Sequence, residues 1–261
     1  MLRAAFIYVM GRKKRNKRGF PVGVLVGFAA QAIHVWRIFS ESVRHYKTLR
    51  LPRKWKNAGE KDIYHFCEDL LDLLRPLMDN GLKSILLVTP QKQDWGERFL
   101  KHVRDHHRWL LSSRMGNQAS FGTVEGNAWS RKGARYLLEQ EKAQKELKRI
   151  TSTEAYLLIK ALEKTINVDV PGNVVLYGLK EIEKVVYEGG KKDDSVAERV
   201  DYLLLTNEFL ENHPNKGRVY RLKQIAENKG IITKVVREES PAGARIEQFG
   251  GIICFKMIDF L

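Results

Sequence analysis

From Pro21 onward the apolar and polar positions fall into blocks that each fit one kind of element. "PVGVLVGF" and "AIHVWRIF" are nearly unbroken apolar, β-branched and aromatic runs parted by a short Ala-Ala-Gln turn, and they read as strands. "VRHYKTLRL" alternates instead. Alternation puts Val43, His45, Lys47, Leu49 and Leu51 on one face and Arg44, Tyr46, Thr48 and Arg50 on the other. The three runs together predict an antiparallel meander. The period then lengthens. Ile63, Phe66, Cys67, Leu70, Leu71, Leu73, Leu74 and Leu77 recur at helical spacing, predicting a helix from about Asp62 to Met78 that closes at Gly81.

"KSILLVTP" predicts a buried strand, and Phe99, Val103 and His106 mark one side of a helix from about Trp95 to Leu110. "RMGNQASFGTVEGNAW" reads as an extended segment with a turn at each end. Two helices follow, Lys132 to Ile150 and Ser152 to Thr165, the second capped from Ser152, Thr153 and Glu154. After "INVDVPGN" the pattern restarts as alternating strands and helices, which indicates an α/β sandwich. The expected fold class is thus α/β: an α+β unit with a mixed sheet and antiparallel meander, then an α/β sandwich. The expected divisions are a basic arm at 1–20 and domains at 21–167 and 168–261.

Charge changes the picture. Among 261 residues, Lys and Arg outnumber Asp and Glu by 46 to 31, for a formal net charge of +15. That excess favours phosphate-rich partners, or an anionic membrane surface, over acidic small molecules. Two cysteines, Cys67 and Cys254, are too few for a disulfide framework, and a reducing cytoplasm fits. The N-terminal "MLRAAFIYVMGRKKRNKRG" has its charge after a short apolar run, the wrong order for a secretory signal, and no stretch reaches membrane-spanning length.

The segments "YGLKEIEKVVYEGG", "VDYLLLTNEFL", "GIITKVV" and above all "REESPAGARIEQFGGIICF" resemble, in that order, the C-terminal domain of the Pelota and class-1 release factor superfamily. Residues 21 to about 165 look like the central domain of the same superfamily: three antiparallel strands, a long helix, a strand, a second helix and a final strand. No counterpart of the family's N-terminal reading domain is seen. The resemblance implies the ribosome, with ribosomal or transfer RNA, as partner. It also implies a surface on the C-terminal domain for a translational GTPase, and a role in termination, rescue or quality control.

In that family a Gly-Gly-Gln loop between the third strand and the first long helix hydrolyses peptidyl-tRNA. The corresponding slot here, "LRLPRKWKNAGEKDIYHF", contains no such triplet. The nearest match, Gly116-Asn117-Gln118, lies after the second helix, and Asn117 adds bulk where a release loop needs glycine for close approach. Gln118 is therefore only a weak catalytic candidate. Three readings stay open: a release-factor-like binding protein without a working loop, a peptidyl-tRNA hydrolase of the Vms type with a diverged loop, and a free-standing RNA-binding protein.

The slot is instead rich in cations. Arg44, Lys47, Arg50, Arg53, Lys54, Lys56 and Lys61 surround Trp55, a combination that neutralises phosphates and offers a ring on which a base can stack. Arg12, Lys13, Lys14 and Arg15 of the arm add to this expected RNA-binding set. "KHVRDHHRWL" carries His102 and His106 one helical turn apart, with Asp105 and His107, but no HExxH completes the set and Cys67 is remote in sequence. Glu68, Asp69 and Asp72 fall mostly on the solvated side of their helix. No metal or other cofactor is expected.

Overall fold

The computed structural model describes residues 19–51, 58–112, 118–167, 174–188 and 200–256. Strands β1 (Pro21–Ala29), β2 (Ala32–Phe39) and β3 (Ser42–Arg50) form the expected meander. Helix α1 (Glu60–Asp79), β4 (Ser84–Thr89), α2 (Trp95–His106), a 3-10 turn (Arg108–Leu110) and β5 (Ser120–Glu125) follow. The five strands make one mixed sheet in the order β3-β2-β1-β4-β5, with β4 parallel to β1 and to β5. Val24, Val26, Ile85 and Leu87 pack under α1 and α2, while Leu25, Trp36, Leu86 and Val88 face the opposite layer. A strand buried on both faces explains why "SILLVT" shows no alternation.

The alternation read in the third strand holds only locally. The β2–β3 register shifts between Val35 and Trp36, which pair with Lys47 and His45 and leave Tyr46 as an extra residue. One extra residue reverses the faces on either side of it. Val43 packs with Trp36 and Ile38, whereas Leu49 and Leu51 pack with α1 on the other face. The bulge, invisible to the pattern, splits the row expected from Val43 to Leu51.

Two helices were also expected to meet near Thr151. The chain instead breaks earlier, giving α3 (Arg131–Glu139) and a continuous α4 (Glu141–Asn167). Thr151 and Thr153 do not cap a new helix. Their hydroxyls donate to the carbonyls of Leu147 and Arg149, at 2.8 and 3.0 Å, so the polar cluster is absorbed without a break. The first half of α4 sets Leu147 and Ile150 against the five-stranded sheet, and the second half sets Leu158 and Leu162 against a second sheet.

That second sheet has the order β6-β9-β7-β8. It is built from β6 (Val175–Leu176), α5 (Leu179–Glu188), β7 (Tyr202–Thr206), α6 (Asn207–Asn212), α7 (Lys216–Asn228), β8 (Ile232–Val236), α8 (Pro241–Glu247) and β9 (Ile252–Phe255). Gly250 and Gly251 enter β9 with φ of 89° and 83°, a left-handed pair that L side chains resist. A Cβ on Gly251 would also lie 2.9 Å from Phe209, so the glycine pair is required by the turn and by packing. Helices on one or both faces of two mixed sheets confirm the α/β class. No helix among the described residues is long and apolar enough to cross a membrane.

Candidate functional site

The sequence-predicted cations separate in three dimensions. Arg12, Lys13, Lys14, Arg15, Arg53, Lys54, Trp55 and Lys56 lie outside the described residues. Arg44, Lys47 and Arg50 are exposed on β3, the edge strand, and Lys61 is exposed in the first turn of α1. Lys47 pairs with Val35 and Arg50 with Ala32, so the two point to opposite faces of the sheet.

Arg44, whose guanidinium carbon lies 5.9 Å from the Phe39 ring centroid, joins other cations that sequence reading passed over. A cleft of about 630 Å³ opens between the β2–β3 turn, α3 and the end of β8. Arg44, Arg131, Lys132, Arg135 and Arg237 line it, against the carboxylates of Glu41 and Glu139. Arg135 is partly neutralised by Glu139, 3.0 Å away and one turn along α3. The floor is apolar, with Val22, Ile38, Val43 and Leu147. Excess positive charge around an apolar floor suits a phosphate backbone with a base or sugar laid against it. The only sequence signal for the α3 contribution was "SRKGAR", a basic helix start that reads as an ordinary solvated face until the fold sets it beside Arg44.

Gln118 is half-buried just ahead of β5. Its neighbours Ala119 and Ser120 donate their amides to Leu110 and Lys83, at 2.8 and 2.7 Å, which ties this backbone to the sheet. The chain that would carry a release loop leaves from the other end of the sheet, where the Leu51 amide meets the Gln31 carbonyl at 3.1 Å. A six-residue strand between these ends spans roughly 20 Å. Gly116 and Asn117 lie outside the described residues.

A third cluster joins α1 to the end of α2. Glu68 does not face solvent with Asp69 and Asp72; its Oε1 lies 2.7 Å from His102 Nε2 and 2.8 Å from His107 Nε2. His102 is buried in the last turns of α2, and the chain breaks from helical geometry at His107 (φ −131°, ψ 45°), which lets that ring reach the same oxygen. His106, expected to share a face with Phe99 and Val103, is exposed, while its neighbour's ring turns inward. Tyr64 covers the cluster: its ring meets those of His102 and His106 edge-on at 4.9 and 5.2 Å. Trp109 is 52% exposed. Burial works against the Glu68 carboxylate, but hydrogen bonds from His107 and His102 outweigh it and hold its pKa below the ordinary range. Burial holds His102 below the ordinary imidazole value, opposed in part by Glu68. Cys67 points into the core, where burial and then Glu68 push its thiol to about 12, so it takes no part in the cluster.

No protein-family model matches the sequence, and no curated protein does. The fold does have counterparts. A model of ribosome-bound archaeal Pelota with ABCE1 superposes with a TM-score of 0.51 at 17% identity, over 97% of this chain and 65% of the Pelota chain. Dom34 of S. cerevisiae, described as a translation termination-like factor in RNA quality control that interacts with Hbs1, gives a TM-score of 0.45 at 18% identity. That match covers 89% of this chain and 62% of Dom34. At such identities the Pelota likeness establishes a shared fold and nothing further. The chain spans less than two thirds of either relative.

Proposed function

We propose that this chain is a release-factor-like protein that engages the ribosome or tRNA during termination, rescue or quality control, without a working peptidyl-tRNA hydrolase loop. The observation that carries the reading is the continuity of the Pelota fold through 97% of the chain, in a relative that is itself ribosome-bound. The net charge of +15 and the cation-lined cleft support RNA as the contacted surface. In this reading residues 21–167 act as the central-like domain and 168–261 as the C-terminal-like domain, the latter docking a translational GTPase in the cytoplasm. The position of Gln118 away from the loop end of the sheet favours binding over hydrolysis.

Sedimentation of the full chain with purified ribosomes through a sucrose gradient at low salt tests the proposal. Co-migration with ribosomal particles that disappears as salt is raised is expected. A protein that stays at the top of the gradient at every salt concentration would sink the translation reading.

A further inference from the structure

Glu68, His102 and His107 come from two helices and a helix terminus, yet their ligating atoms all lie within 4.8 Å of one another. The side chains of His102 and His107 are only 7% and 12% exposed, and that of Glu68 27%. A hydrogen-bonded clamp between α1 and α2 explains part of this arrangement. It does not require one buried and one half-buried imidazole to converge through the same ring nitrogen on a single carboxylate oxygen. Two imidazoles and a carboxylate in that convergence are the donor set of open zinc sites.

We propose that Glu68, His102 and His107 bind one divalent transition-metal ion of the zinc type, leaving a fourth position for a water or a substrate oxygen. Zinc sits about 2.0–2.2 Å from such nitrogen and oxygen ligands, which puts the ligands roughly 3.4 Å apart in a tetrahedral shell. The present contacts of 2.7 and 2.8 Å need to open by about 0.6–0.7 Å, and the two imidazole nitrogens, within 4.8 Å of each other, to settle at about 3.4 Å, within reach of side-chain rotations. Tyr64 walls one side with its ring edge-on to His102, limiting access of water there. An ion here would also fasten α1 to the α2 terminus, beneath the face on which Lys47 lies.

Cobalt titration into chelator-treated full-length chain tests the site, because a four-coordinate Co2+ absorbs in the visible and zinc displaces it. One equivalent should bind and should be displaced by zinc. Glu68→Gln keeps an oxygen to accept both histidine hydrogen bonds but removes the anionic ligand, and it should weaken binding about 100-fold or more. His107→Ala should do the same, and His213→Ala, just past the end of α6, should change nothing. Circular dichroism of Glu68→Gln checks that the fold survives. Absence of stoichiometric binding, or equal affinity in wild type, Glu68→Gln and His107→Ala, would overturn the site and leave a hydrogen-bonded clamp.

Discussion

Lys234 of β8 places its ammonium 2.5 Å from the Glu154 carboxylate of α4, with 10% and 6% of the two side chains exposed. Ser84 of β4 donates its hydroxyl to the other oxygen of the same carboxylate, so one buried acid ties α4 to both sheets. Lys83 is close by; burial lowers its pKa, and Glu154 pulls it back up in part. Removing the acid leaves the buried Lys234 ammonium without its counter-charge. Glu154→Ala is expected to cost about 3–5 kcal/mol, the usual penalty for stranding one partner of a buried pair. Equilibrium urea unfolding measures it, and a loss of about 1 kcal/mol or less would class the pair with solvent-exposed ones.

The cleft makes a salt-dependent prediction. Replacing Arg44, Arg131 and Lys132 together by Ala should weaken binding to ribosomes or rRNA at low salt. The slope of log affinity against log salt should fall by about 0.7–0.9 for each phosphate that is no longer neutralised. Fluorescence anisotropy with labelled rRNA fragments across a salt series reads both effects. An unchanged slope would remove the cleft from the interface.

Gln118 supplies the test of chemistry. On stalled ribosome complexes carrying labelled peptidyl-tRNA, the wild-type chain and Gln118→Ala should release peptide at the same background rate. Release by the wild type that vanishes in the variant would restore Gln118 as a catalytic residue, whatever its distance from the expected loop.

His34 contributes a pH dependence. Burial, with a smaller contribution from His45, holds its imidazole below the ordinary 6.5. Just under that pH the unfolded chain binds the proton and the folded chain does not. Stability therefore falls as pH drops below about 6.5 and levels off once the folded-state value is passed. Urea midpoints at about pH 7.5 and about pH 5.5 should differ in this direction, and less so in His34→Gln. His102 adds a change of the same sign, so part of the difference remains. An identical difference in wild type and variant would exclude His34 as a source.

The strands and helices were legible because their signals are local. "SILLVT" and the leucine face of α1 declare their period within a few residues, and the glycine pair before β9 announces a turn that only glycine relieves. The Tyr46 bulge was not legible, since a bulge depends on the partner strand and leaves no mark on the alternation itself. The same holds for the continuous α4. Ser152, Thr153 and Glu154 look like a cap in one dimension, but Glu154 is committed to Lys234, some eighty residues away in sequence.

By itself, then, the sequence determined the class of the fold, the order of its elements, the excess of positive charge and the absence of a Gly-Gly-Gln triplet from the expected slot. The tertiary structure decided which charges act together. It set Arg44 beside α3 and Arg237, sent Lys47 and Arg50 to opposite faces, and turned Glu68 inward to His102 and His107. Periodicity is written in neighbouring residues. Convergence of side chains arises only when distant segments pack, and packing is settled by the whole core at once.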